Sequence, residues 1–270
     1  MPELPEVETV VRGLRPILEG ATVSRVRVHR PDLRWPIPPD LGQRLTGARL
    51  VAVRRRAKYG LIDTDRGDTL LFHLGMSGQL RLDPADRRPH DHVEFETDGH
   101  RIAFHDPRRF GSLHLARTAE LSSHPLLAGL GPEPLDPDFS ATHLLAAAKG
   151  RSCAVKSLLL DQKVVAGIGN IYASEALFRG RINPARKAGA ISLARYRGLV
   201  ESLRLVLAEA IEAGGSTLRD HAGIDGELGY FQHRFQVYGR DGAPCPSCGG
   251  PIRRRVLIGR STFDCPRCQR

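Results

Sequence analysis

The sequence predicts an α+β chain in several domains: a β-rich first half opened by one helix, a helical middle, and a small ribbon at the end. Three observations lead there. Apolar residues repeat with period two, broken by turn signals, over most of the stretch from Ala21 to Phe104. Gly131-Pro132-Glu133-Pro134-Leu135-Asp136-Pro137 then places three prolines in seven residues, a stiff extended link that suits neither a helix nor a central strand. Four of the five cysteines fall within residues 245–268, in a tail that is otherwise polar and basic.

The chain opens on Met1-Pro2-Glu3-Leu4-Pro5-Glu6-Val7-Glu8-Thr9. Leu4, Val7, Val11, Leu14 and Leu18 follow at steps of three and four, so they share one face of a helix predicted over residues 3–15 and docked on a core. Prolines and acids suit its first turn, where an N–H is not needed and the helix dipole is positive. Pro16 is expected to bend or end the helix, and Gly20 to mark its stop. Val23, Val26 and Val28 begin short strands, and Arg49 to Arg54 read as another. Arg54-Arg55-Arg56-Ala57-Lys58-Tyr59-Gly60 is a basic turn.

Residues 61–64 and 69–74 form a predicted hairpin around Asp65-Arg66-Gly67-Asp68. The glycine-flanked loop Gly75-Met76-Ser77-Gly78 leads into a strand at 79–82. A second hairpin joins 93–96 to 101–104 through Asp98-Gly99, and Asp106-Pro107-Arg108-Arg109-Phe110-Gly111 follows. Many short strands with turn signals imply an antiparallel sandwich or barrel. Beyond the proline link, residues 143–148, 153–161, 171–178 and 193–213 are predicted helices. The domains then run 1–131, 138–239 and 240–270, with 132–137 as linker.

At 270 residues with 41% hydrophobic and 26% charged side chains, the composition is that of a globular protein with a sizeable core. No apolar run approaches the roughly 20 residues that cross a bilayer, and acids stand where a secretion signal needs bases. The expectation is a soluble cytoplasmic protein without a membrane partner. A net charge of +10 and a pI near 9.9 favour a polyanion. Of the 40 basic residues only Lys58, Lys149, Lys156, Lys163 and Lys187 are lysines. Arginine suits bidentate phosphate contacts, although genomic base composition would produce the same bias.

Cys245, Cys248, Cys265 and Cys268 make C-x2-C-x16-C-x2-C. Two such knuckles present four thiolates to one tetrahedral zinc ion. Four cysteine ligands leave no position for water, so the expected zinc is structural. Disulfides would need an oxidising compartment that nothing in the sequence indicates. Cys153, on an apolar helical stretch, reads as a buried small hydrophobe. Arg253, Arg254, Arg255 and Arg260 lie between the knuckles, where they could read phosphates or simply face solvent.

Gly167-Ile168-Gly169-Asn170 precedes a predicted helix. Its glycines allow close backbone approach, Asn170 can cap the helix, and a helix N-terminus can hold an anion. A capped corner with no ligand would look the same.

Six segments together resemble the bacterial formamidopyrimidine-DNA glycosylase family. They are Pro2 to Glu8, Lys58 within Arg-Arg-Ala-Lys-Tyr, His73 to Gly78, Asp106 to Gly111, Val165 to Ala173, and the terminal cysteine ribbon. They occur in the family's order from residue 2 to the last cysteine. The related endonuclease VIII branch tends to carry glycine where Leu4 stands, so the resemblance is to the oxidised-purine branch. It implies an N-terminal antiparallel β-sandwich with flanking helices, a helix–two-turn–helix domain and a zinc finger. It also implies a monomer acting on double-stranded DNA with oxidised purine lesions, in the bacterial cytoplasm and nucleoid.

The resemblance further implies that Met1 is removed and the Pro2 nitrogen attacks C1′ of the damaged nucleotide. Glu3 is the implied general acid/base, and Lys58 either protonates the leaving base or clamps a phosphate. Glu6 either orients the amine or supports the fold. Met76, Arg108 and Phe110 are the implied fillers of the space left by a flipped nucleotide. His90, Lys156, Asn170 and Arg260 match phosphate contacts. Thr217 to Tyr230 resembles a loop that closes over the extruded base, although Asp220-His221-Ala222-Gly223-Ile224 departs from the family pattern. A catalytically silent DNA binder of the same build is the competing reading, against which stand the intact Pro2, Glu3 and Lys58.

Overall fold

The structure is a computed structural model that describes residues 1–217 and 223–270. Asp220, His221 and Ala222 of the implied closing loop lie outside the described residues. The chain forms two compact units, Met1–Ala128 with Ala213–Gln232, and Gly129–Glu212 with His233–Arg270.

The first unit begins with α1 (Leu4–Leu18) and continues through β1 (Val23–Val28), α2 (Leu41–Leu45), β2 (Leu50–Arg56) and β3 (Tyr59–Thr64). Then come β4 (Asp68–His73), β5 (Gln79–Leu82), β6 (Asp91–Thr97), β7 (Arg101–His105) and β8 (Ser112–Arg117). The strands make two four-stranded antiparallel sheets, ordered β1-β6-β7-β5 and β2-β3-β4-β8. Val93, Ile102 and Phe104 from one sheet share a core with Val53, Phe72 and Leu113 from the other. The architecture is thus a sandwich and not the barrel that the strand pattern also allowed. All five residues of the predicted α1 stripe are buried, four of them in this same core. Burying each such side chain contributes roughly 1.5–3 kcal/mol.

The predicted end of α1 at residue 15 is three residues short. Pro16 sits inside the last turn, where only the solvent-facing Arg12 carbonyl loses its partner, and burial of Leu18 keeps the turn helical. Glu19 closes the helix and Gly20 leaves it at φ 92°.

The second unit carries α3 (Ala141–Ala148), α4 (Val155–Leu160), α5 (Asn170–Arg179), α6 (Leu193–Glu212), β9 (Arg253–Leu257) and β10 (Arg260–Asp264). Ser140 caps α3 by accepting the His143 N–H at 3.1 Å. The helix expected from Cys153 starts instead at Val155, because Ala154 is engaged in a bridge with Lys187. The proline-rich segment is tied down: Arg204 donates to the carbonyls of Pro134, Asp136 and Phe139 at 3.3, 2.9 and 2.8 Å. Gly131 N–H and Ala166 N–H join it to the α4–α5 turn through the carbonyls of Gln162 and Pro132. β9 and β10 form an antiparallel hairpin over a small core of Phe178, Val237, Ile252 and Phe263. Among the described residues no helix is long and apolar enough to cross a membrane.

Candidate nucleic-acid and zinc sites

Helix α1 presents Pro2 and Glu3 at its tip, both buried. Glu3 is the N-cap, and a reciprocal capping box links it to Glu6, whose carboxylate accepts the Glu3 N–H at 2.8 Å. The other Glu6 oxygen accepts the Ser216 N–H and hydroxyl, each at 2.9 Å. Glu6 therefore links the N-terminal tip to the segment that returns to this unit at Ala213.

Lys58 occupies the two-residue turn between β2 and β3 and is buried, with Ala57 beside it at φ 53°. Arg55 donates through Nη1 to the Ala57 carbonyl at 3.0 Å and through Nε to Glu8 at 2.9 Å. Glu8 also accepts Arg12 at 2.8 Å. Burial works against the charged form of Glu8, yet the bonds from Arg12 and Arg55 hold its carboxyl below the usual range. The turn bearing Lys58 is thereby moored to α1. Next to it, His73 stands across from Tyr59. Burial first, then the charges of Lys58 and Arg34, push the His73 imidazole down to about 4.

Beyond His73 the backbone forms two interlocked loops. Gly75 adopts φ 62°, and a Cβ there would sit 2.3 Å from the Phe110 carbonyl carbon, so only glycine allows the two backbones to touch. The loops expose Met76 (40%) and Phe110 (42%), and the Arg108 guanidinium lies 5.0 Å from the centre of the Phe110 ring. A cation and an aromatic ring thus stand together on one loop, with an exposed apolar side chain on the loop that touches it. His90 is also exposed and sits at φ 76°, a strained position for histidine, with its carbonyl accepting the Asp106 N–H at 3.0 Å.

In the second unit, Lys156 and Asn170 converge on the β9–β10 hairpin. Asn170 Nδ2 donates to the Ser261 carbonyl at 2.9 Å. Lys156 is fully buried and donates to the Thr262 hydroxyl at 2.9 Å and the Ser261 carbonyl at 3.3 Å. Arg260, one residue before this junction, is exposed. Gln162 braces the glycine turn, donating to the Ile168 carbonyl at 2.8 Å and accepting the Gly167 N–H at 2.9 Å.

The sulfurs of Cys245, Cys248, Cys265 and Cys268 lie within 4.8 Å of one another, with adjacent pairs at 3.5 and 3.8 Å. Zinc–sulfur bonds of about 2.3 Å in a tetrahedron require neighbouring sulfurs about 3.8 Å apart, so the set fits one zinc ion. The fourfold thiolate shell makes it a structural site.

The expected residues therefore gather in three groups. Pro2, Glu3 and Lys58 belong to α1 and the turn moored to it, Met76, Arg108, Phe110 and His90 to the interlocked loops, and Lys156, Asn170 and Arg260 to the ribbon junction. Sequence reasoning passed over Glu8, Arg55, Ser77, Asp106 and Ser261, which hold these groups in place. All but Ser261 lie inside the motifs that carry the resemblance, which gave them no role.

The chain matches known proteins along its length. A family model for the formamidopyrimidine-DNA glycosylase N-terminal domain matches residues 1–113, and one for the H2TH domain of that enzyme matches residues 130–222. A model for the zinc finger found in FPG and IleRS matches residues 242–270. The formamidopyrimidine-DNA glycosylase of Rhizorhabdus wittichii is 58% identical over the whole of both chains. The crystal structure of MutM (Fpg) from Thermus thermophilus superposes with a TM-score of 0.90 at 46% identity, covering 99% of this chain and 98% of that one. A Lactococcus lactis Fpg variant bound to Fapy-dG-containing DNA gives 0.92 at 32% identity over 99% of each chain. The wild-type L. lactis protein, in complex with DNA containing an oxidised pyrimidine, gives 0.91 at 32% over 99% of each. With three family domains matched in order and full-length relatives above half identity, the chain belongs to the formamidopyrimidine-DNA glycosylase family.

Proposed function

We propose that this chain is a bifunctional DNA glycosylase and AP lyase that removes oxidised purines, 8-oxoguanine and formamidopyrimidines, from duplex DNA in base excision repair. The observation that carries the reading is the Pro2-Glu3 tip, buried and clamped by the capping box and the Glu6–Ser216 bonds. An amine there would be held still, as a nucleophile must be. Once Met1 is removed, Pro2 is a terminal secondary amine with an ordinary pKa near ~8, partly neutral at neutral pH. Its nitrogen attacks C1′, the glycosidic bond breaks, and the resulting iminium drains electrons for elimination of both flanking phosphates. Glu3 shuttles protons at the ribose oxygen and the sugar carbons. Lys58 supplies a cation to the leaving base or an adjacent phosphate.

The damaged nucleotide must leave the stack to reach Pro2. Met76 and Phe110 fill the gap by wedging and stacking, and Arg108 pairs with the orphaned cytosine. His90 grips the backbone beside the lesion, while Asn170 and Arg260 form a phosphate-binding corner around Ser261, with the buried Lys156 ammonium supplying charge from behind through Ser261 and Thr262. The zinc ion holds the hairpin that carries this corner.

Borohydride trapping on a duplex with one 8-oxoguanine opposite cytosine tests the proposal. Protein lacking Met1 is expected to form a covalent adduct, Pro2→Gly to lose most of it while still binding, and Glu3→Gln to stop base excision. No adduct from the processed protein would refute the amine mechanism. The L. lactis complex with an oxidised pyrimidine favours a second, broader reading in which the same site accepts such bases. A pyrimidine-lesion duplex cleaved as fast as the 8-oxoguanine duplex would establish it.

A further inference from the structure

We propose that Asp106 is a positioning residue whose buried carboxylate fixes Met76, Arg108 and Phe110 as one unit. The proposal rests on the reading of those three side chains as fillers of the flipped-out space. Asp106 is completely buried. Its Oδ1 accepts the Ser77 hydroxyl at 2.6 Å, and its Oδ2 accepts the Gly111 N–H at 2.7 Å. Ser77 follows Met76 and Gly111 follows Phe110, so one carboxylate grips both loops beside their exposed side chains. Ser77 Oγ passes the link on by accepting the Arg108 N–H at 3.3 Å.

The Asp106 backbone extends the same hub. Its carbonyl accepts the His92 Nε2 at 2.9 Å and the Arg109 N–H at 3.2 Å, while its N–H donates to His90. Among the described residues no lysine or arginine pairs with this carboxylate. Both oxygens of this buried carboxyl are occupied by hydrogen bonds, as a buried polar group requires. In this arrangement both oxygens accept, and Ser77 Oγ donates to one of them while accepting the Arg108 N–H. An asparagine that kept its oxygen on the Gly111 N–H would turn its N–H2 to Ser77 Oγ, reversing that bond and loading Ser77 Oγ with a second donor beside the Arg108 N–H. The steric interlock of Gly75 with Phe110 keeps the loops adjacent, and Asp106 sets their relative register.

The consequence is selective. Loosening the hub should impair insertion into a duplex and discrimination of the opposite base, and leave the Pro2 amine untouched. Ser77→Ala and Asp106→Asn are to be compared with Met76→Ala and Arg108→Ala on two substrates, the 8-oxoguanine duplex opposite cytosine or adenine, and a single-stranded oligonucleotide with one abasic site. Ser77→Ala is expected to lower duplex excision about tenfold and to narrow the preference for cytosine over adenine, with single-strand borohydride trapping within about twofold of wild type. Asp106→Asn should do the same more strongly; if it fails to fold, Ser77→Ala decides alone. Equal losses on both substrates, or excision and opposite-base preference at wild-type levels, would overturn the proposal. If Met76→Ala and Arg108→Ala also excise normally, the space-filling reading itself fails. If only those two are impaired, the assignment of Asp106 fails by itself.

Discussion

At the scale of single residues, the groups around the interlocked loops depend on which atoms accept protons. His73 Nδ1 accepts the Gly75 N–H at 3.0 Å, so this nitrogen is unprotonated and the ring is neutral. Burial and the neighbouring cations lower the folded-state pKa to about 4, whereas an unfolded histidine titrates near ~6.5. Between those values the unfolded chain binds the extra proton, so the stability contributed by neutral His73 is complete above ~6.5 and lost as pH falls toward 4, by up to roughly 3 kcal/mol. His92, His114 and His124 are also depressed by burial, and they share the wild-type slope. His73→Gln keeps an acceptor for Gly75 and cannot titrate, so its urea midpoint should change less between about pH 7 and pH 4.5. Parallel pH profiles for the two proteins would remove His73 from the account. Glu6 bonds to both Glu3 and Ser216, contacts that serve orientation of the tip and support of the fold alike.

At the scale of elements, the helices end where tertiary bonds decide. Pro16 does not stop α1 because Leu18 is buried beyond it, and α4 starts late because Ala154 bridges to Lys187. In the second unit α5 anchors the segment leading to the ribbon. The buried Glu175 carboxylate accepts the N–H groups of Gln236, Val237 and Tyr238 at 2.9, 3.0 and 2.8 Å. Removing it strands three donors, each worth about 1–3 kcal/mol when left unpaired. Glu175→Ala should therefore destabilise this unit by roughly 3 kcal/mol or more, with Glu175→Gln less severe because one acceptor remains. Urea denaturation measures this, and a loss below ~1 kcal/mol for the alanine variant would contradict it.

For the molecule as a whole, the zinc ribbon is the element whose stability comes from outside its own core. Its apolar cluster is small, and the four thiolates close it. Chelating the metal should release β9–β10, and with it the contacts of Ser261 and Thr262 to Lys156 and Asn170. Duplex affinity in an anisotropy titration should then fall about tenfold or more, while the amine still traps an abasic site at high protein concentration. Undiminished affinity in protein shown to be metal-free would argue against a DNA role for the ribbon. The net charge of +10 acts over the same scale and makes every such measurement dependent on salt.

Much was legible before any fold was known. The period-two strands, the change to helical spacing beyond Pro137, the α1 stripe and the C-x2-C pairs are local patterns, and short-range sterics and metal-ligand spacing write them into the chain. Resemblance singled out Pro2, Glu3, Lys58, Met76, Arg108 and Phe110, and their proposed roles rest on it. Strand periodicity alone left sandwich and barrel open, so the sandwich was legible only by resemblance, and nothing in the sequence showed that residues 213–232 return to the first unit. The sequence also hid the restraints of Asp106 on Ser77 and of Glu6 on Ser216. Those bonds join residues 29 and 210 positions apart. A hydrogen bond leaves no periodic trace along the chain, so only the tertiary structure could bring each buried carboxylate to the donors that make it necessary.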